Sequence, residues 1–322
     1  MRVPFGDIRP NYERTLELGD GCIMAYSESG NEKGLPLFII HGGPGAGVSD
    51  YSRKLFNPEI YRIIQFDQRG CGKSVPHCTL ENNNSFTLVE DIKALYQHLN
   101  IEQAVLYGGS WGVTLALLFT QSYPGKVLGL ILRGSFLARQ QDMGWLYDGG
   151  AGRIFPDHWH KFTRFVGGKT GYALIEAYHD KLTGGDELHR MAAAKQWSIW
   201  EAQCATLLPN PYILQSANDP KSALPFALIA THFMKNNCFI EPNQILQNMA
   251  DIEHLPGFIV HGRYDMVCPL DNAYDLYSVW QNSELDIVRE AGHSDLEPGI
   301  ADAVIKAGSR MAQRLGISPI QA

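Results

Sequence analysis

Gly108-Gly109-Ser110-Trp111-Gly112 follows the strand-like run QAVLYGG and opens a helical pattern. A G-x-S-x-G sequence between a strand and a helix puts its serine on a sharp turn, with the hydroxyl exposed near the helix N-terminus. A serine hydroxyl is a weak nucleophile, so chemistry there needs a base to take its proton and a carboxylate to orient that base. Asp265, after the run FIVHGRYD, and His293, after LDIVREAGH, supply both. Each is expected at the carboxyl end of a strand, beside Ser110. Acyl transfer also needs N–H donors for the charge of a tetrahedral intermediate. The N–H of Trp111 is one, and the loop HGGPG, residues 41–45, offers Gly43 as the other, because Pro44 has no N–H.

Each piece has a plainer reading. The serine could merely cap a helix, the histidine could be a polar loop residue, and the glycines could form a tight turn. The ordered trio favours catalysis. Asp271 and Asp275 rival Asp265, but they lie beyond Pro269 at what reads as a helix start, where surface capping accounts for them. Ten other histidines, His158 and His160 among them, form no H-E-x-x-H pattern, so neither a metal nor a cofactor is expected. GCGKS, residues 70–74, resembles the end of a phosphate-binding loop, but the glycine that motif requires five positions before Gly72 is Asp67. Cys71 has no histidine or cation that the sequence can set beside it, so it reads as a buried thiol.

The elements that must position these residues alternate. The segment RTLELGDGCIMAYSESG suggests an antiparallel hairpin about Gly19-Asp20-Gly21. LPLFIIHGG and YRIIQFDQRG read as buried parallel strands, and Leu88, Ile92, Leu95 and Leu99 recur at helical spacing. A helix from Gly112 to about Tyr123, the strand VLGLILRG, and a last helix from about Pro298 to Leu315 continue the pattern. This is an α/β protein with a mostly parallel central sheet and helices on both faces. Residues 1–136 and 252–322 form the core in two parts. Residues 137–251, which hold four of the six tryptophans and no convincing strand, read as an inserted helical cap.

Composition narrows the partners. At 322 residues and 45% hydrophobic, the chain can bury a large core. A net charge of -7 with scattered Lys and Arg excludes a phosphate-backbone surface, so no nucleic acid is expected. The amino terminus has no apolar stretch of signal-peptide length, and no segment has the roughly 20 apolar residues of a membrane span. A cytoplasmic protein acting on a peptide or a small amide or ester is the expectation. The six cysteines show no C-x-x-C pair and read as free, mostly buried thiols.

HGGPGAG, FDQRGCGKS, GGSWGVTLAL, VHGRYDMVCP and AGHSDLEPG together resemble the motifs of the proline iminopeptidases, serine aminopeptidases of the α/β-hydrolase fold. The similarity runs from the hairpin to the last helix. It implies Ser110, Asp265 and His293 as a triad, Gly43 and Trp111 as the oxyanion hole, and a helical cap that selects peptides with a free amino terminus. It further implies Glu201, in WSIWEAQ, as an acceptor for the substrate amine, and Phe136 as a wall of the proline pocket. Where the family typically reads R-I-E-N-H-Y-F, this chain reads LIATHFM, with Ala230 in place of a second glutamate. Leu146 and Met234 stand where aromatics are usual. These departures leave the catalytic residues intact and alter recognition. They keep open an ester or amide hydrolase with no free-amine requirement, and behind it a binding protein without turnover.

Overall fold

A computed structural model describes residues 1–317. Eight strands form one sheet in the order β1-β2-β4-β3-β5-β6-β7-β8. The expected hairpin is β1 (Pro10–Glu17) with β2 (Ile23–Gly30), which also pairs antiparallel with β4. The other six are mutually parallel: β3 (Leu35–Ile40), β4 (Tyr61–Phe66), β5 (Ala104–Gly109), β6 (Val127–Arg133), β7 (Gly257–Gly262) and β8 (Ser283–Val288).

The central strands are apolar throughout because both faces of the sheet are covered, and successive side chains point to opposite faces. Phe38, Ile40, Leu106 and Leu130 enter one core, while Leu37, Ile39, Val105 and Ile131 enter the other. On the first side lie α2 (Ser85–His98), through Leu88, Ile92 and Leu95, and α3 (Trp111–Ser122). On the second lies α12 (Pro298–Arg314), through Ile300, Val304 and Met311, near the short α1 (Asp50–Arg53). Asn84 caps α2 by accepting from Thr87 N at 3.0 Å. The helix α11 (Leu270–Ser278) follows β7.

Between β6 and β7 the chain is helical: α4 (Gln140–Tyr147), α5 (Pro156–Arg164), α6 (Gly171–Thr183), α7 (Glu187–Cys204), α8 (Pro211–Asn218), α9 (Pro220–Lys235) and α10 (Gln244–Gln247). Aromatic rings bind this part together. The Phe162 and Tyr178 rings stack at 4.7 Å, Tyr147 and Trp197 at 4.7 Å, and Phe162 and Trp200 at 5.5 Å. Each such pair adds about 0.5–1.5 kcal/mol beyond simple burial. Trp200 Nε1 donates to Leu146 O at 3.1 Å, which fixes α7 against α4. No helix among the described residues is long and apolar enough to cross a membrane.

Candidate active site

Ser110 occupies the turn between β5 and α3 with φ 58° and ψ -121°, a left-handed conformation strained for any residue with a side chain. Its N–H donates to Arg133 O at 2.9 Å, which locks the turn onto β6. The flanking glycines are steric necessities. A Cβ at Gly108 would lie 2.3 Å from Gly112 O, and one at Gly112 would lie 2.1 Å from Ile40 O. We predict that Gly112→Ala destabilises the fold by roughly 1–3 kcal/mol through overpacking, read as a lowered Tm in thermal unfolding.

Asp265 lies three residues beyond β7 and is buried; His293 lies in the loop after β8. Their side chains meet, with His293 Nδ1 2.7 Å from Asp265 Oδ2. Asp265 Oδ1 accepts from Val267 N at 3.0 Å and Cys268 N at 2.8 Å. Burial pushes this carboxyl up, but the neighbouring imidazoles and the Cys268 N–H outweigh it and hold the group below its ordinary range. With Nδ1 committed to Asp265, Nε2 is the nitrogen of His293 left to accept a proton. No hydrogen bond joins Ser110 Oγ to His293 among the described residues, a looseness common before substrate is in place. The two segments nevertheless touch. Gly134 follows the residue that anchors Ser110, and a Cβ there would lie 2.8 Å from the His293 ring.

The HGGPG loop reaches the same place. Gly43 has φ 112°, and a Cβ on it would lie 2.6 Å from Gly45 N. Trp111 is the first residue of α3, where an N–H has no acceptor within the helix. His41 and Gln68 hold this loop. His41 Nε2 accepts from Gln68 N at 3.0 Å, Gln68 Nε2 donates to His41 O at 2.8 Å, and Gln68 Oε1 accepts from Trp111 Nε1 at 3.0 Å. His41 is thereby fixed with its proton on Nδ1, and burial lowers its pKa, keeping it neutral.

Gly43, Ser110, Phe136, Leu146, Glu201 and Met234 line one cavity of about 20 Å³, room for about one water. Larger hollows lie elsewhere; one of about 600 Å³ runs past Arg139, Glu241 and Leu246 and another of about 530 Å³ past Glu13, Arg14 and Lys73, and neither contains a triad candidate. Tyr147 Oη donates to Glu201 Oε1 at 2.7 Å, a contact between α4 and α7 that spacing could not reveal. Burial raises the Glu201 pKa to about 7, against the opposing hydrogen bond from Tyr147. Ala230 is fully buried in α9 and does not line this cavity. Asp142 and Cys268 also line it. The Asp142 carboxylate already accepts from Leu137 N at 3.2 Å, Arg139 N at 3.1 Å and Arg139 Nε at 3.0 Å.

Two expectations need correction. Asp275 is not a surface cap, since its Oδ2 accepts from Arg139 Nη1 at 2.7 Å and ties α11 to the start of α4. Cys71 does have a histidine beside it, with His41 Nε2 3.5 Å from its Sγ. It is nonetheless a buried thiol, because burial drives its pKa well up and its S–H points to Gln68 O at 3.1 Å. Among the described residues no group of three or more His, Cys, Asp or Glu is placed to hold a metal ion.

The sequence pattern of the alpha/beta hydrolase fold family matches residues 36–299. The proline iminopeptidase of Arabidopsis thaliana is 42% identical over 317 residues, 98% of this chain and 83% of its own length. That of Xylella fastidiosa is 42% identical over 95% of this chain and 98% of its own, and that of Neisseria gonorrhoeae 38% over the same shares. Among solved structures, an esterase from Exiguobacterium antarcticum superposes with a TM-score of 0.67 at 20% identity, covering 92% of this chain and 98% of the esterase. A bromoperoxidase from Bacillus anthracis gives 0.68 at 18%, covering 94% and 100%. At those identities the structural likeness speaks for the fold alone.

Proposed function

Because the chain belongs to the alpha/beta hydrolase fold family and, within it, to the proline iminopeptidases, we propose that it is a serine aminopeptidase that releases an N-terminal residue, proline preferred, through an acyl-enzyme. Ser110 Oγ attacks the scissile carbonyl as His293 Nε2 takes its proton. His293 then gives that proton to the leaving amine, and Asp265 keeps the other ring proton on Nδ1. The N–H groups of Gly43 and Trp111 receive the oxyanion. Water, deprotonated by His293, releases the acyl group, and no cofactor enters. The six free cysteines suit a reducing compartment, and we place the protein in the cytoplasm.

The observation that carries this reading is the half-buried carboxylate of Glu201 in the same small cavity as Ser110. A hydrolase of neutral esters has no use for an anion there, whereas a protonated substrate amine gives it a partner. Phe136 and Met234 would contact the first residue's ring. A cavity of about 20 Å³ does not hold a pyrrolidine, so binding requires these side chains to move apart, which unbranched Met234 does readily.

Glu201 supplies the test. A pKa of about 7 means that the carboxylate form grows as pH rises through neutrality. We predict that the ratio of kcat/KM for a free-amine prolyl arylamide to that for a simple ester rises through about pH 7. Glu201→Gln is predicted to flatten that rise and to lower the arylamide value about 10- to 100-fold, the worth of a charged hydrogen bond, with ester turnover nearly unchanged. Equal losses on both substrates would argue against amine recognition. A second reading, ester or amide hydrolysis without a free-amine requirement, draws on Ala230, which leaves Glu201 without the companion glutamate usual in the family.

A further inference from the structure

A groove of about 340 Å³ is lined by near neighbours in sequence of the candidate site's residues and takes part in none of the steps above. The buried Ala202 and Ala223 form its floor and Tyr212, Ile213, Phe226 and Leu296 its apolar walls, with three serine hydroxyls, of Ser198, Ser216 and Ser222, the uncharged polar groups among them. It therefore lies where α7, α8 and α9 meet the loop that carries His293. Adjacent stretches of chain line both hollows. Gly43 faces the small cavity and Ala46 the groove, Glu201 faces the cavity and Ala202 the groove, and Leu296 stands three residues beyond His293.

The side on which the groove lies has chemical meaning. His293 must protonate the leaving amine, so the second residue of a peptide substrate has to leave on the histidine's side of Ser110. The groove's Leu296 belongs to that loop. Hydrogen bonds also fasten the loop to the end of α7, since His293 N and Ser294 N donate to Ala205 O at 3.1 and 2.9 Å. Glu297 extends the join, accepting from Gly292 N at 2.8 Å and Leu207 N at 3.0 Å. The contacts that position the base thus position the groove as well. Its walls are apolar, and Tyr212 is 79% exposed and Leu296 37%, an open apolar surface beside the loop that carries His293.

We propose that this groove is the subsite for the second residue of the peptide and that it selects a large apolar side chain there. The proposal rests on the aminopeptidase reading and adds a specificity to it. The small floor residues leave the depth, and the four walls supply apolar contact but no charge to meet a polar side chain.

The test is the release of proline from the amides Pro-Xaa-NH2, with Xaa as Gly, Ala, Leu, Phe, Asp or Lys. For the wild type, kcat/KM is expected to rise tenfold or more from Gly to Leu and Phe, the scale on which apolar pockets discriminate, with Asp at or below Gly. Ile213→Asp should abolish that rise, leave Pro-Gly-NH2 within about threefold, and favour Lys over Leu. Tyr212→Asp, at an exposed position that threatens folding little, should shift preference the same way to a smaller degree. A flat series in the wild type, with proline released from every amide, would overturn the groove assignment and leave the aminopeptidase intact. No proline released from any amide, with esters still cleaved, would overturn both.

Discussion

Ser110→Ala is expected to lower kcat/KM by about 10⁴- to 10⁶-fold on amide and ester substrates alike, with the folded state intact. Alanine deletes only the Oγ, and no other hydroxyl is presented at the β5–α3 turn. The donors aimed at the developing oxyanion would survive, so a residue of rate above the uncatalysed reaction should remain. Because Ser110 sits at φ 58°, removing the oxygen does nothing to relieve the strained backbone, and Tm should change little. Turnover near that of the wild type would remove the acyl-enzyme from the account.

Asp265→Asn should cost about 10⁴-fold through the tautomer of His293 rather than through its position. Asp265 Oδ1 accepts two backbone N–H groups, from Val267 and Cys268, so an asparagine there keeps its carbonyl oxygen on that side. Its NH2 then faces His293 Nδ1, which has to accept. The imidazole proton is forced to Nε2, the nitrogen required as base. The same NH2 would also face His261 Nε2, 3.4 Å from Asp265 Oδ2. That nitrogen carries the ring's proton, since His261 Nδ1 accepts from Ser135 N at 3.1 Å and Nε2 donates to Cys268 O at 2.8 Å. A donor opposing a donor in a buried site predicts a lower Tm alongside the lost rate. Full activity in Asp265→Asn would move the orienting role elsewhere.

The fold was legible in the sequence because a parallel α/β sheet writes itself as short apolar runs, and the runs it predicted are strands β3 to β8. The candidate triad was legible for the same reason: Ser110, Asp265 and His293 each follow such a run, and parallel strands bring their carboxyl ends to one edge. Long-range partners were not. Arg139 and Asp275 are 136 positions apart, and Asp275 reads as a surface cap because no spacing sets α11 against the start of α4. Tyr147 and Glu201 are 54 apart on separate helices, so neither the hydrogen bond nor the raised pKa of Glu201 could be read from spacing. His41 and Gln68 stand in the motifs HGGPGAG and FDQRGCGKS, but their work in holding the HGGPG loop emerges only when β3 and β4 pair. In the sequence Ala230 marks a missing acceptor. The structure adds that its methyl is wholly buried, so the loss is of a side chain and not of an open position.

The central claim is that this site requires a free amino terminus. It is tested most directly by comparing kcat/KM for a prolyl arylamide with that for its N-acetylated counterpart, with Ser110→Ala as the blank. Glu201 in the same cavity as Ser110 predicts a preference for the free amine of at least about tenfold, since acetylation removes the charge that its carboxylate would meet. Equal rates on the two substrates, or hydrolysis confined to esters, would contradict the aminopeptidase and assign the scaffold to general ester or amide hydrolysis.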